Sequence, residues 1–408
     1  MSTVTAPPAP PAPTPWTRII LIGVGLAAVV ALVVLAFSWP SVTAKAQNVP
    51  VSIAGSSAQV AQVEKALDAA SPDTFSFVAA ADRAEAVSQI EDRTTSGAVV
   101  LGAAPEVLTS SAASTVTNQI FTGLAPKLQQ QLTLAAHAAG APATQTVTVK
   151  LTDVVPLSSN DPRGAGLAAA AFPLTLGGML GGLAASLLIV GAWRRVVAIS
   201  AYVVIAGFAL AGILQGWFGV LQGNYLLNAG AITLSLLAIS ATIVGVTSLV
   251  GRLGSLVGPV LFLLVANPIS SATQPLQFLP QPWGQVGQWF PPGAGNTLLR
   301  DLSYFPNAGT VFPWLVVAGW SAFGIALALI GHFRQGITVE LVQDELPTQA
   351  GATRATDAAL SPDPARAPEP TRASHVTLSP EPTAVPEPAV SVRAHPAHAA
   401  DRHPAHMA

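Results

Sequence analysis

The sequence predicts an α-helical polytopic membrane protein of six transmembrane helices, with a small α/β extracytoplasmic domain inserted between helices 1 and 2. Three observations predict it. Charged residues make up 9% of the 408-residue chain and hydrophobic residues 51%, whereas soluble domains are roughly one quarter charged. So little charge cannot cover a water-facing surface, and part of the surface must face lipid. Six apolar segments are long enough to cross a bilayer, and the basic residues between them all fall on one side.

Residues 1–15 are mostly Pro, Ala and Thr, with nothing to build a core, and read as disordered. Residues 16–39 form the first transmembrane helix. Ile19 to Phe37 is apolar throughout apart from glycines, and Trp16 and Trp39 bracket it at headgroup depth. A cleaved signal peptide is the competing reading, because Ala44-Lys45-Ala46 has the small-x-small form of a cleavage site. The apolar core exceeds a signal peptide's usual length of about 7–15 residues, which favours the anchor. Either way, residues 41–165 are expected outside.

Residues 41–165 regain charge and break into short alternating units. Strands are expected at 49–54, 75–78, 97–101 and 146–154, and helices at 56–70, 82–91 and 114–139. Strands alternating with helices make a small α/β domain.

From 166 to 334 the soluble pattern gives way to a five-helix bundle, with apolar segments at 166–192, 197–221, 226–250, 253–272 and 311–333. Arg18 precedes the first span, Arg194 and Arg195 follow the second, Arg252 the fourth, and His332 and Arg334 the sixth. By the positive-inside rule that side is cytoplasmic. The expected placement is therefore the cell membrane, with both termini inside and 41–165 outside. Residues 335–408 are rich in Pro, Ala, Glu and Asp and read as a disordered cytoplasmic tail. His395, His398, His403 and His406 in it could ligate metal, but a biased low-complexity tail explains them more simply.

Chemistry is sparse. The sequence has no cysteine, no G-x-x-x-x-G-K-[ST] run, no G-x-S-x-G elbow and no H-E-x-x-H helix. The expected reading is a protein that is not an enzyme and needs no cofactor or metal. A net charge of -2 gives no basic patch for nucleic acid. Asp301 is the one acidic residue between 166 and 333 and belongs to an exterior loop. The spans thus lack the carboxylates of a proton relay. Gln215, Thr233, Ser235, Ser240, Thr242, Thr247 and Ser248 are expected to bond across helices or to their own carbonyls. Gly177, Gly178, Gly181 and Gly182 offer a face for close helix approach.

Two exterior stretches are too specific to be filler. Asp161-Pro162-Arg163-Gly164 stands where the domain meets the second span, and an ion pair between Asp161 and Arg163 is the simple expectation. The second stretch runs from Asn267 to Arg300, with an interfacial loop at 273–310, and is apolar but broken by prolines and glycines. Such a backbone must lie at the surface or against protein. It reads as interfacial or re-entrant helices capping the exterior mouth of the bundle, with Trp283, Trp289 and Phe290 at headgroup level.

These landmarks carry a resemblance. Val154-Val155-Pro156-Leu157, Asp161-Pro162-Arg163-Gly164, Asn267-Pro268, Trp283-Gly284 and Pro291-Pro292-Gly293-Ala294-Gly295 with Leu298-Leu299-Arg300 resemble actinobacterial ABC-2-type export permeases of the branch related to the phage-infection-protein family. The resemblance covers about residues 16–334. It implies a permease subunit, homodimeric or heterodimeric in the lipid bilayer, that works with a separate ATPase to move an amphipathic substrate outward. It also implies that Trp193, Arg194 and Arg195 contact that ATPase, and that Asn267, Pro268, Trp283, Pro291, Pro292, Gly293, Gly295 and Arg300 belong to an exterior gate. The alternative is a non-transporting envelope scaffold or receptor that presents residues 41–165.

Overall fold

The computed structural model describes residues 14–345, with side chains through Arg334. The N-terminal segment before residue 14 and the tail from 346 onward, with His395, His398, His403 and His406, lie outside the described residues.

Helix α1 (Trp16–Thr43) is continuous, apolar from Ile19 to Phe37, and carries Pro40 near its end. The chain after it is seated rather than free. The Lys45 amide donates to the Phe278 carbonyl at 3.1 Å, and Ala44 and Ala46 pack against the core of the α/β domain.

That domain is built from β1 (Val49–Ala54), α2 (Ser57–Ala70), β2 (Phe75–Ala80), α3 (Arg83–Glu91), β3 (Gly97–Val100), β4 (Glu106–Thr109), α4 (Thr115–Ala138) and β5 (Lys150–Asp153). The five strands form one sheet in the order β2-β1-β3-β4-β5. The β1–β2, β1–β3 and β4–β5 pairs are parallel and β3–β4 is antiparallel. Because β2 and β3 flank β1, right-handed crossovers put α2 and α3 on opposite faces. Val51, Val99 and Val107 face Phe121 and Leu128 of α4, and Ala98 and Leu108 face Ala86 and Ile90 of α3. Helix ends are capped as their sequences predict: the Asp82 carboxylate accepts from Glu85 N, and the Ser114 hydroxyl accepts from Thr117 N.

Strand β4 is not expected from the sequence. It is four residues long and begins with Glu106, an acid that is buried on the α3 side. A hydrogen bond from Arg83, helped by Thr152 and the Lys150 charge, holds its carboxyl down to about 2 despite burial. A depressed acid contributes stability above its unfolded value of about 4.3 and loses it as pH falls toward 2. Glu106→Gln is therefore expected to lower stability at pH 7 by about 2 kcal/mol and to flatten the decline between about pH 4.5 and 2. That loss is below the full worth of the shift, because half of the Arg83 side chain is in water. Thermal melts of the purified chain across that range check it.

Five helices among the described residues are long and apolar enough to cross a membrane: Trp16–Thr43, Ala165–Leu188, Ala192–Trp217, Tyr225–Leu256 and Val311–Arg334. They comprise α1, α5 (Ala165–Leu188), α6 (Ala192–Ala211) with a π-turn at 212–217, α7 (Tyr225–Val250) with the 3₁₀ turns after it, and most of α10 (Val311–Glu345). Helix α7 is the hub, with 67% of its apolar window buried, whereas α1 buries 0% of its own. The glycine face works as expected. Gly178 and Gly182 seat α5 against Ile239, Ser240 and Ile243 of α7, and Gly181 accommodates Tyr202 of α6. Two cross-helix bonds lock the contact, Ser240 Oγ to Gly178 O at 2.8 Å and Tyr202 Oη to Gly177 O at 2.9 Å. Ser235, Thr242 and Ser248 bond back to carbonyls four residues earlier.

Two expectations need correction. The 253–272 segment is not one long helix. Gly251, at φ 79°, ends α7, and the chain returns through 3₁₀ turns (Gly251–Leu256) and a π-helix (Gly258–Ala266). Glycines at 251, 254 and 258 with Pro259 leave no regular α-helical run there. The tail also starts later than expected, since α10 continues through 335–345. After Gly336 the stretch 337–345 holds no glycine or proline, and the next proline is Pro347.

Candidate functional site

The stretch after the π-helix is a folded cap at the end of the bundle that adjoins the α/β domain. Asn267 anchors its start, donating from Nδ2 to Thr175 Oγ1 of α5 at 3.1 Å. The cap continues as a 3₁₀ turn (Leu276–Phe278), α8 (Trp283–Gly287) and α9 (Pro291–Tyr304). Trp283 meets Trp39 of α1 edge to face, with ring centroids 6.3 Å apart. Pro291 and Pro292 occupy the first positions of α9, where an N–H would have no helical partner. Gly293 lies against the Gly287 carbonyl and Gly295 against Ser235 of α7, each too close for a side chain. Leu298 and Leu299 then enter the core formed with α6, α7 and α10.

The opposite face of α9 grips the domain. Arg300 is half-buried and donates from one Nη to the carbonyls of Ala112 and Ala113, at 3.0 and 3.1 Å. Burial and the neighbouring Arg93 cation push its guanidinium down to about 10, so it stays charged at neutral pH. Asp301 is 4% exposed and pairs with Arg93, from the turn after α3. Burial pushes the Asp301 carboxyl up while the Arg93 charge pulls it down. Arg93 also stands over the Phe305 ring at 5.2 Å. Two arginines, one from each side, thus tie the domain to a helix that is packed into the bundle.

Asp161 and Arg163 do not form the expected ion pair. The Asp161 carboxylate accepts from Ala165 N at 3.0 Å and Gly166 N at 2.8 Å, capping α5 where its amides are free. Arg163 is exposed and makes no hydrogen bond or ion pair with a described residue. Trp193 and Arg194 are exposed at the start of α6. Arg195 closes the short turn between α5 and α6 instead, its Nε donating to the Ile189 carbonyl at 2.8 Å.

Two spaces adjoin the cap. A cleft of about 570 Å³ opens between α1, α5 and the segment 267–274, lined by Val33, Phe37, Phe172, Leu263 and Pro268 among others. A chamber of about 220 Å³ lies between the domain and the cap, lined by Arg93, Arg163, Arg300, Gln288 and Asn296. They share Ala168 and residues 271–274 as a common wall. Sequence reasoning found Arg163 and Arg300 and placed Gln288 and Asn296 in the exterior stretch without a role, but missed Arg93. One signal was available for Arg93: the single acid of the bundle, Asp301, had to find a cation. Compared with protein-family models, curated proteins and solved structures, the chain matches none.

Proposed function

We propose that this chain is the membrane permease subunit of an ATP-binding-cassette-type exporter, a homodimer or heterodimer that moves an amphipathic substrate outward with a separate ATPase. The double grip of the α/β domain on α9 carries this reading. Helix α9 packs against both α7 and α10, so a rearrangement of the bundle that shifts α9 shifts the domain with it. A pump needs such a linkage, and a domain merely displayed on an anchor does not. The missing P-loop assigns the energy source to another chain.

The reading includes six crossings, both termini in the cytoplasm, and 41–165 outside the cell membrane. The segment 251–266 serves as the fifth crossing. Gly258 lies against Ile243, Phe262 packs with Ile239, and Asn267 reaches Thr175, so the segment runs back alongside α7 toward the domain end. At ~1.5 Å per residue it spans about 24 Å, somewhat short of a bilayer core of about 30 Å.

The test uses Arg194 rather than Arg195, because Arg195 also holds the turn. Cross-linking in native membranes, then purification of the full chain, is expected to bring down an ATP-hydrolysing partner. Arg194→Glu should cut that recovery about tenfold. The chain has no cysteine, so Ala69→Cys should label with an impermeant maleimide in intact cells and Arg252→Cys should not. Recovery of no ATPase, or recovery indifferent to Arg194→Glu, would leave the envelope scaffold as the better account.

A further inference from the structure

We infer that the cleft and the chamber together form one binding site for an anionic phospholipid, its acyl chain between α1 and α5 and its headgroup among the arginines. The inference rests on the export reading and names the class of molecule handled there.

The chamber's chemistry selects an anion. Three guanidiniums line it, from Arg93, Arg163 and Arg300, and no carboxylate does. Asp301 is already engaged by Arg93, and Asp161 by the amides of α5. Arg163 is left without a partner among the described residues. Arg300 is half-buried and uses one Nη on two carbonyls, and a partly desolvated cation with N–H groups left over favours an anionic ligand. Thr115, the first residue of the 24-residue α4, and its cap Ser114 also line the chamber, adding positive helix-end potential.

A second observation points to a ligand independently. Asn296 is 7% exposed and lines the chamber, yet its Oδ1 has no hydrogen-bond partner and no described residue bonds its amide nitrogen. Ser271 Oγ, on the common wall, is likewise buried and unpartnered. Buried polar groups are rarely left unsatisfied, and a small turn of either side chain toward the chamber would let a headgroup hydroxyl donate to Asn296 Oδ1 and a phosphate oxygen accept from Ser271 Oγ.

The cleft supplies the other half. Val33 and Phe37 of α1 face Ala168, Ala171 and Phe172 of α5, with the Phe37 and Phe172 rings edge to face at 5.9 Å. Its volume lies within the range of about 300–1,000 Å³ typical of ligand sites. Because α1 touches the rest of the bundle only near its end, an acyl chain can enter sideways from the bilayer.

The experiment needs neither ATPase nor transport. The full chain is placed in phosphatidylcholine nanodiscs containing a trace of photoreactive phosphatidylglycerol, and cross-linked peptides are mapped. Labelling is expected at 33–37 and 168–172, with about tenfold less in Arg163→Gln and little change in Arg252→Gln, a matched loss of charge at an exposed arginine elsewhere. Equal labelling by photoreactive phosphatidylcholine would reduce the site to ordinary boundary lipid and overturn the inference. So would competition by glycerol phosphate as strong as by the lipid itself, which would mark a soluble-anion site. Specific labelling without any recoverable ATPase would sink the export reading alone, and an ATPase partner without specific labelling would sink this inference alone.

Discussion

Arg93→Ala is expected to destabilise the junction by about 3 kcal/mol, more than its partner's replacement, Asp301→Asn, at about 1–2 kcal/mol. The asymmetry comes from burial. Removing Arg93 strands a carboxylate whose side chain is 5% exposed, the case in which a broken buried pair costs about 3–5 kcal/mol. The lower end applies because Arg93 is itself 28% exposed. Removing the acid leaves a guanidinium that can turn to water and keep its place over Phe305. The pH dependence separates this account from a packing defect. Burial already pushes Asp301 up, and loss of Arg93 pushes it further. A raised acid is most stable in its protonated form at low pH and loses that stability as pH rises through its folded value. The Arg93→Ala deficit should therefore shrink as pH falls and grow toward neutrality. Hydrogen exchange at residues 93–95 and 300–305 and melts at several pH values give the readout, and an equal deficit at every pH would reject it.

What the sequence could and could not say divides along sequence separation. The α/β domain was legible because each strand except β4 is a short β-rich run bounded by turn residues. Strand β4 escaped because Glu106 breaks the pattern, and its justification comes from Arg83, Lys150 and Thr152, all distant in sequence. The 251–266 segment was legible as apolar but not as irregular backbone, since hydropathy counts side chains and ignores what three glycines and a proline do to the turns. At the candidate site, Arg300, Trp283 and the Pro291-Pro292 pair stood out as local oddities. Arg93 lies 208 residues from Asp301, beyond any periodicity. Asp161 reads as an ion-pair partner from its neighbour Arg163, although its position just before a helix start is itself a capping signal.

The second large effect tests how the bundle holds together. In lipid, helices gain little from hydrophobic burial, so close backbone packing across small residues must supply the association. The α7–α10 contact, the most extensive between helices, is built this way. A Cβ on Gly324 would overlap the carbonyl carbon of Ala241 and the amide nitrogen of Thr242, and one on Gly331 would lie 2.6 Å from the Ser248 carbonyl oxygen. Backbone atoms cannot rotate aside as a side chain would, so even Gly324→Ala must push the helices apart. Overpacking costs typically about 1–3 kcal/mol, and Gly324→Val should exceed that and abolish the monodisperse species in detergent. Gly319, on the same helix, has nothing within 4 Å of an added Cβ. Gly319→Ala should leave the elution profile unchanged, which controls for helix propensity and insertion. If both alanine variants behave like the parent chain, α7 and α10 do not pack backbone to backbone. The grip of α9 on them would then have no rigid platform, and the proposed coupling of domain to bundle would fail with it.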